Sequence, residues 1–185
     1  MRAKYPLVFF FLAILSISFL LNAQEKQRTY VGARKCKTCH KKEKVGNQFK
    51  AWKESKHAEA YKTLLTEKAD SISLSIDNKK AVENENCLKC HVTAYDVDKS
   101  LLGKKFKIED GVQCESCHGA GGDYKKKKIM KDHDLAVANG LVEYKDESEI
   151  EEQCKTCHNE DSPTYKEFVF KERWEDIKHP IPEKK

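Results

Sequence analysis

The sequence predicts a mainly α-helical, compact domain whose helices and irregular loops wrap around groups that are not polypeptide. Three observations predict it. The pattern Cys-x-x-Cys-His occurs four times, at Cys36–His40, Cys87–His91, Cys114–His118 and Cys154–His158. Those four copies use all eight cysteines of the 185-residue chain. Beyond residue 23, Leu, Ile, Val and Phe make up only 28 of 162 residues, below the share at which a chain usually sustains its own core. Something else must supply the missing apolar mass.

The motif says what that is. Cys-x-x-Cys-His is the attachment signature of c-type haem. Cys36 and Cys39, Cys87 and Cys90, Cys114 and Cys117, and Cys154 and Cys157 would each form two thioethers to one porphyrin. His40, His91, His118 and His158 would be the proximal iron ligands. Structural zinc and disulfides are the rival uses of paired cysteines. Zinc needs no histidine after every second cysteine, and a disulfide needs none at all. The expected cofactor is therefore haem c, four per chain and covalent, in a compact multihaem cytochrome c fold. Apoprotein of this composition is expected to be poorly folded.

The N-terminus reads as a secretory signal over residues 1–23. Arg2 and Lys4 precede an apolar run from Leu7 to Leu21, and small Ala23 marks the expected cut. The run is shorter than the roughly 18 to 20 residues that span a bilayer, so the domain at 24–185 is expected to be periplasmic. An uncleaved N-terminal membrane tether is the alternative. With 35 basic and 30 acidic residues, overall charge says little about a partner. Nothing resembles a nucleic-acid module or a hydrolytic triad.

Seven histidines less four proximal ones leave His57, His133 and His179, and Met130 is the sole methionine outside the signal. Four six-coordinate irons would need four further ligands. The simplest arithmetic gives three bis-histidine haems and one five-coordinate, open iron. His57 falls on one arc of an expected helix with Phe49, Trp52, Ala60, Tyr61 and Leu64; a core histidine beside Trp52 is the bland reading. His133 lies between Asp132 and Asp134, where a surface residue would be ordinary. His179 precedes Pro180, which should push it out of an expected helix over Thr164–Lys178. In each case the shortage of ligands favours a distal role.

The rest of the chain is less informative. Asp70–Asn86 reads as a polar excursion with a turn at Asp77-Asn78. The run Gly119-Ala120-Gly121-Gly122 would let backbone approach a porphyrin closely, and it lacks the Lys-Ser/Thr ending of a phosphate-binding loop. Lys125–Lys128 is a solvated face or a docking patch for an acidic redox partner.

These motifs resemble the cytochrome c-554 family, the tetrahaem cytochromes of hydroxylamine oxidation. The matching pieces are Cys36–His40, Trp52–Ala58, Cys87–Val92, Gly111–Gly119, Asp132-His133 and Cys154–His158, with Phe168–Lys171 and His179 in the last segment. The resemblance implies a mainly α-helical fold with haems in close pairs. It implies His133 as the distal partner of His40, His57 of His118 and His179 of His158, leaving the His91 haem open. It also implies a partner such as a hydroxylamine oxidoreductase-like multihaem enzyme or a membrane quinone-linked cytochrome.

The expected function is periplasmic electron transfer between redox partners. Bis-histidine ligation lacks the methionine that raises potential, so low potentials are expected at those three haems. Reduction of nitric oxide or another small nitrogen oxide at the open second haem is the alternative.

Overall fold

The computed structural model describes residues 26–181. The expected signal over residues 1–23 and its cut after Ala23 lie outside the described residues. The described chain is a succession of short helices: α1 (Ala33–His40), α2 (Gln48–Glu54), α3 (Ala60–Thr63), α4 (Glu67–Asp77), α5 (Glu85–His91), α6 (Glu115–His118), α7 (Lys127–Met130), α8 (His133–Ala138), α9 (Glu147–Lys155) and α10 (Phe170–Ile177). Among the described residues the extended pairing is one isolated parallel bridge, Tyr30 with Leu102. No helix among them is long and apolar enough to cross a membrane. The expected mainly α-helical class is the observed one.

Local chemistry accounts for where the helices begin and end. Thr66 caps α4 by accepting a hydrogen bond from the Ala69 N–H at 3.2 Å, with Glu67 and Asp70 in the first turn. Asn78, in the left-handed region at φ 46°, stops it. The excursion expected at Asp70–Asn86 is thus largely helix, ended at the expected turn. Asn84 caps α5, and its side-chain amide donates to Ser73 at 2.9 Å, tying α4 to the second motif.

The expected continuous helix through His57 is broken. Ser55 is extended (φ −83°, ψ 161°), and its hydroxyl donates back to the Trp52 carbonyl at 2.7 Å, a local bond that competes with the helical ladder. Partners from elsewhere hold the break. The Trp52 indole donates to the Val112 carbonyl at 2.8 Å, and the Val112 N–H donates to the His57 carbonyl at 3.0 Å. The C-terminal helix is likewise shorter than expected, beginning at Phe170. It ends at Lys178, just before His179 and Pro180.

Little apolar mass is buried. Among the described residues, four of the buried apolar side chains are alanines (Ala33, Ala58, Ala81 and Ala136), and Leu64, Tyr124 and Phe170 are the large ones. The largest fully buried side chains are polar: Gln113, Asn84 and Ser73. Among the described residues these side chains do not make up a hydrophobic core in the ordinary sense.

Candidate functional site

Within a Cys-x-x-Cys-His segment in helical form, the two cysteines stand at i and i+3 and the histidine at i+4, so all three share a face. The first three motifs meet this condition at the ends of α1, α5 and α6. The fourth straddles the end of α9: Cys154 is helical, while Cys157 and His158 lie just beyond the Thr156 cap. None of the eight cysteines is joined to another as a disulfide. Among the described residues no cluster of three or more His, Cys, Asp or Glu side chains gathers as a structural zinc site would need.

Two of the motif histidines are oriented through Nδ1. His91 Nδ1 lies 2.8 Å from the Ala60 carbonyl, and His40 Nδ1 lies 3.1 Å from Gln48 Oε1. A proton held on Nδ1 by such an acceptor leaves Nε2 as the free ligand nitrogen. Gln48 is held in turn by the carbonyls of Val45 and Pro180, the latter at 2.9 Å. Sequence reasoning had no signal for these partners, one of which is backbone.

The histidines come together in twos. The His57 and His158 rings are 6.1 Å apart between centroids, and those of His118 and His179 are 5.8 Å apart. Two metal–nitrogen bonds of about 2 Å in line, plus two half-rings, make about 6 Å. Each pair would be spaced to hold one haem iron between its two imidazoles. Burial holds these groups neutral, the form that ligates metal. It pushes His118 down to about 4, with His179 and His40 adding to the shift, and lowers His57 and His179 as well. His179 Nδ1 is buried without a hydrogen-bond partner among the described residues. Phe168 stacks on His158 with centroids 4.7 Å apart.

This pairing differs from the one the resemblance implied, which set His57 against His118 and His179 against His158. The C-terminal segment reaches the first site instead, because Gln48 takes the Pro180 carbonyl. His133 is not drawn into either pair. It is exposed, with Nε2 2.6 Å from Glu143 Oε1.

The attachment sites themselves meet in a definite order. Cys36 of the first motif touches Cys114 of the third, and Cys90 of the second touches Cys157 of the fourth. Burial beside Cys154 and Cys157 pushes the Cys117 thiol up to about 11, which places the third site against the fourth. Gln153 also donates to the Ser116 carbonyl at 3.3 Å, and Tyr144 to the Cys117 carbonyl at 2.8 Å. Lys89 and Asp161 bridge the second and fourth sites at 3.7 Å.

The residues binding the first and third sites were invisible in the sequence. Gly32, at φ 82°, begins α1 without a side-chain cap of its own. A Cβ there would lie 2.8 Å from the Phe106 backbone. The third motif supplies the cap. Glu115 accepts from the Val31 N–H at 2.8 Å and the Gly32 N–H at 2.7 Å, and Gln113 accepts from the Ala33 N–H at 2.8 Å. Glu115 also accepts from the Gly121 N–H at 2.7 Å. Burial raises its pKa against the pull of these donors. Thr93 ties the second site in, accepting from the Gln113 N–H at 2.7 Å and sharing a 2.6 Å contact with the Ser116 hydroxyl.

The residues present fit haem c, four per chain. Each motif carries two thiols and an imidazole, two histidine pairs are spaced as two ligands of one iron would be, and porphyrins would supply the apolar mass that the buried alanines do not.

Comparison with known proteins agrees. Residues 35–119, which carry the first three motifs, match the family described as Cytochrome c554 and c-prime. The chain is 29% identical over 139 residues to cytochrome c-554 of Nitrosomonas europaea, a match covering 70% of this chain and 57% of that protein. Its fold is similar to the reduced state of cytochrome c554 from Nitrosomonas europaea, with a TM-score of 0.51 and 24% identity, covering 82% of this chain and 79% of that one. In motifs, in sequence and in fold, the chain resembles the cytochrome c554 family.

Proposed function

We propose that this protein is a periplasmic electron carrier, accepting electrons from one redox protein and delivering them to another. The observation that carries the reading is that the four attachment sites are contiguous: the third meets the first, the second and the fourth, and the fourth meets the second. Haem iron supplies reversible one-electron chemistry at each site when bound. The chain's residues hold the sites in contact. Glu115 and Gln113 fasten the first to the third, Gln153 and Tyr144 the third to the fourth, and Lys89 with Asp161 the fourth to the second.

In this reading His179 is the distal partner of His118 and His57 that of His158, on the strength of their spacing. His133 is assigned to the His40 site, where it would exchange the Glu143 carboxylate for iron. His91 is left without a second histidine. Electron paramagnetic resonance of the oxidised holoprotein is expected to give about one high-spin iron in four. About two in four would remove His133 from the ligand set. Replacing His57 or His179 by Ala is expected to convert one further low-spin haem to high spin in each case, and an unchanged spectrum would remove that residue.

A second reading rests on His91. With His57, His179 and His133 all engaged elsewhere, a small molecule such as nitric oxide could bind and be reduced there. Carbon monoxide added to the reduced protein is expected to bind at about one site per chain. No binding would leave a carrier alone.

A further inference from the structure

Charge is distributed unevenly along the haem sites. Residues 33–56, which build the first site, hold nine Lys and Arg against two Glu. Residues 143–161, which build the fourth, hold eight Asp and Glu against two Lys. Both of those lysines are matched locally, Lys145 with Glu149 and Lys155 with Glu151. The lysines of the first segment are not. Lys35, Lys41, Lys42, Lys44, Lys50 and Lys53 are exposed, and among the described residues none lies within ion-pair distance of a carboxylate. Exposed Cys39, one of the two thioether positions of the first site, stands in their midst.

We propose that the lysine-rich face of α1, α2 and the turn between them is the docking surface for an acidic redox protein, which exchanges electrons with the haem held at Cys36, Cys39 and His40. The proposal deepens the electron-carrier reading and rests on it. Two features point to a protein rather than a general anion sink. The unmatched cations lie on both sides of Cys39 along the chain, and that attachment thiol is itself exposed, where a partner's cofactor could come close. The same chain carries the opposite charge at its fourth site, so one partner cannot favour both places. Unpaired like charges on one face repel each other, and a complementary carboxylate-rich surface relieves that while steering encounter. On docking, one electron leaves the partner's reduced centre and reduces ferric iron at this site to ferrous.

The test uses the haem-loaded protein and a reduced, acidic plant-type [2Fe–2S] ferredoxin as the one-electron donor, mixed by stopped flow. Native protein is expected to be reduced rapidly at low salt and progressively slower as salt rises. The triple variant Lys42→Glu, Lys44→Glu, Lys50→Glu is expected to react about tenfold or more slowly and to lose most of that salt dependence. The variant Lys126→Glu, Lys127→Glu, Lys128→Glu makes the same change in net charge elsewhere and is expected to stay within about twofold of native. Dithionite reduction and the haem spectrum check that each variant is intact. Equal slowing in both variants would reduce the effect to net charge and overturn the proposal, as would native rates in the first. Light scattering that showed a dimer lost only in the first variant would assign the face to a second copy instead. A protein that dithionite reduces but no donor protein does would overturn the carrier reading itself.

Discussion

Protein made without haem is expected to show no cooperative unfolding transition. The described helices run from four to eleven residues, and isolated helices shorter than about 12 to 15 residues are marginal in water. They need tertiary burial. What the polypeptide offers for burial is small: alanines at Ala33, Ala58, Ala81 and Ala136, with Leu64, Tyr124 and Phe170 as scattered larger groups. Alanine contributes little transfer free energy, since burial stabilises in proportion to apolar area, roughly 25 cal/mol per Å². Against that stands the conformational entropy of every ordered residue. Circular dichroism of the apoprotein should therefore decline without a sigmoid on heating, while the haem-loaded protein should melt sharply. A sharp transition in apoprotein would show that the polypeptide carries a core of its own.

Replacing Glu115 should have the largest effect of any single change outside the haem-binding residues. Its carboxylate is 3% exposed and accepts hydrogen bonds from the N–H groups of Val31, Gly32 and Gly121. In Glu115→Ala all three donors are left buried and unmatched, at roughly 1–3 kcal/mol each, so a loss of about 4 kcal/mol or more is expected. Glu115→Gln should be only slightly milder. Both carboxylate oxygens receive N–H groups, and an amide would turn its own NH₂ toward one of them. Gln113→Ala, which frees the Ala33 N–H and the Lys107 carbonyl, should cost about two thirds as much by the same reasoning. The measurement is the denaturant midpoint of the holoprotein, with exposed Glu109→Ala expected within about 0.5 kcal/mol of native as control. A Glu115 variant as stable as that control would show that the contact stabilises nothing.

The motifs were fully legible because attachment chemistry is local: two thiols and an imidazole within five residues. The fold class followed from the shortage of large apolar side chains, which the alanine-lined interior reproduces. His57 was legible as a site residue but not its surroundings. A helical period runs unbroken through Ser55, and only Val112, about sixty positions away, reveals why the helix stops there. Histidine pairing was not legible at all. Four proximal and three distal candidates permit several assignments, and the one implied by resemblance differs from the spacing observed for His57 and His179. Glu115 was hidden for a different reason. Its partners are backbone N–H groups as far as 84 residues away, and a backbone donor carries no signature in the residue type.

That long-range cap has a consequence for how the protein is made. A chain synthesised N-terminus first brings out Cys36, Cys39 and His40 well before Gln113 and Glu115, which lie 80 to 84 residues from the amides they bind at the start of α1. Until those two side chains arrive, the start of α1 has no acceptors for its free N–H groups. The first segment therefore stays open while it is handled by whatever joins haem to it. Closure over α1 comes only with the third motif, so the order of emergence keeps the first attachment sequence accessible until the third has appeared.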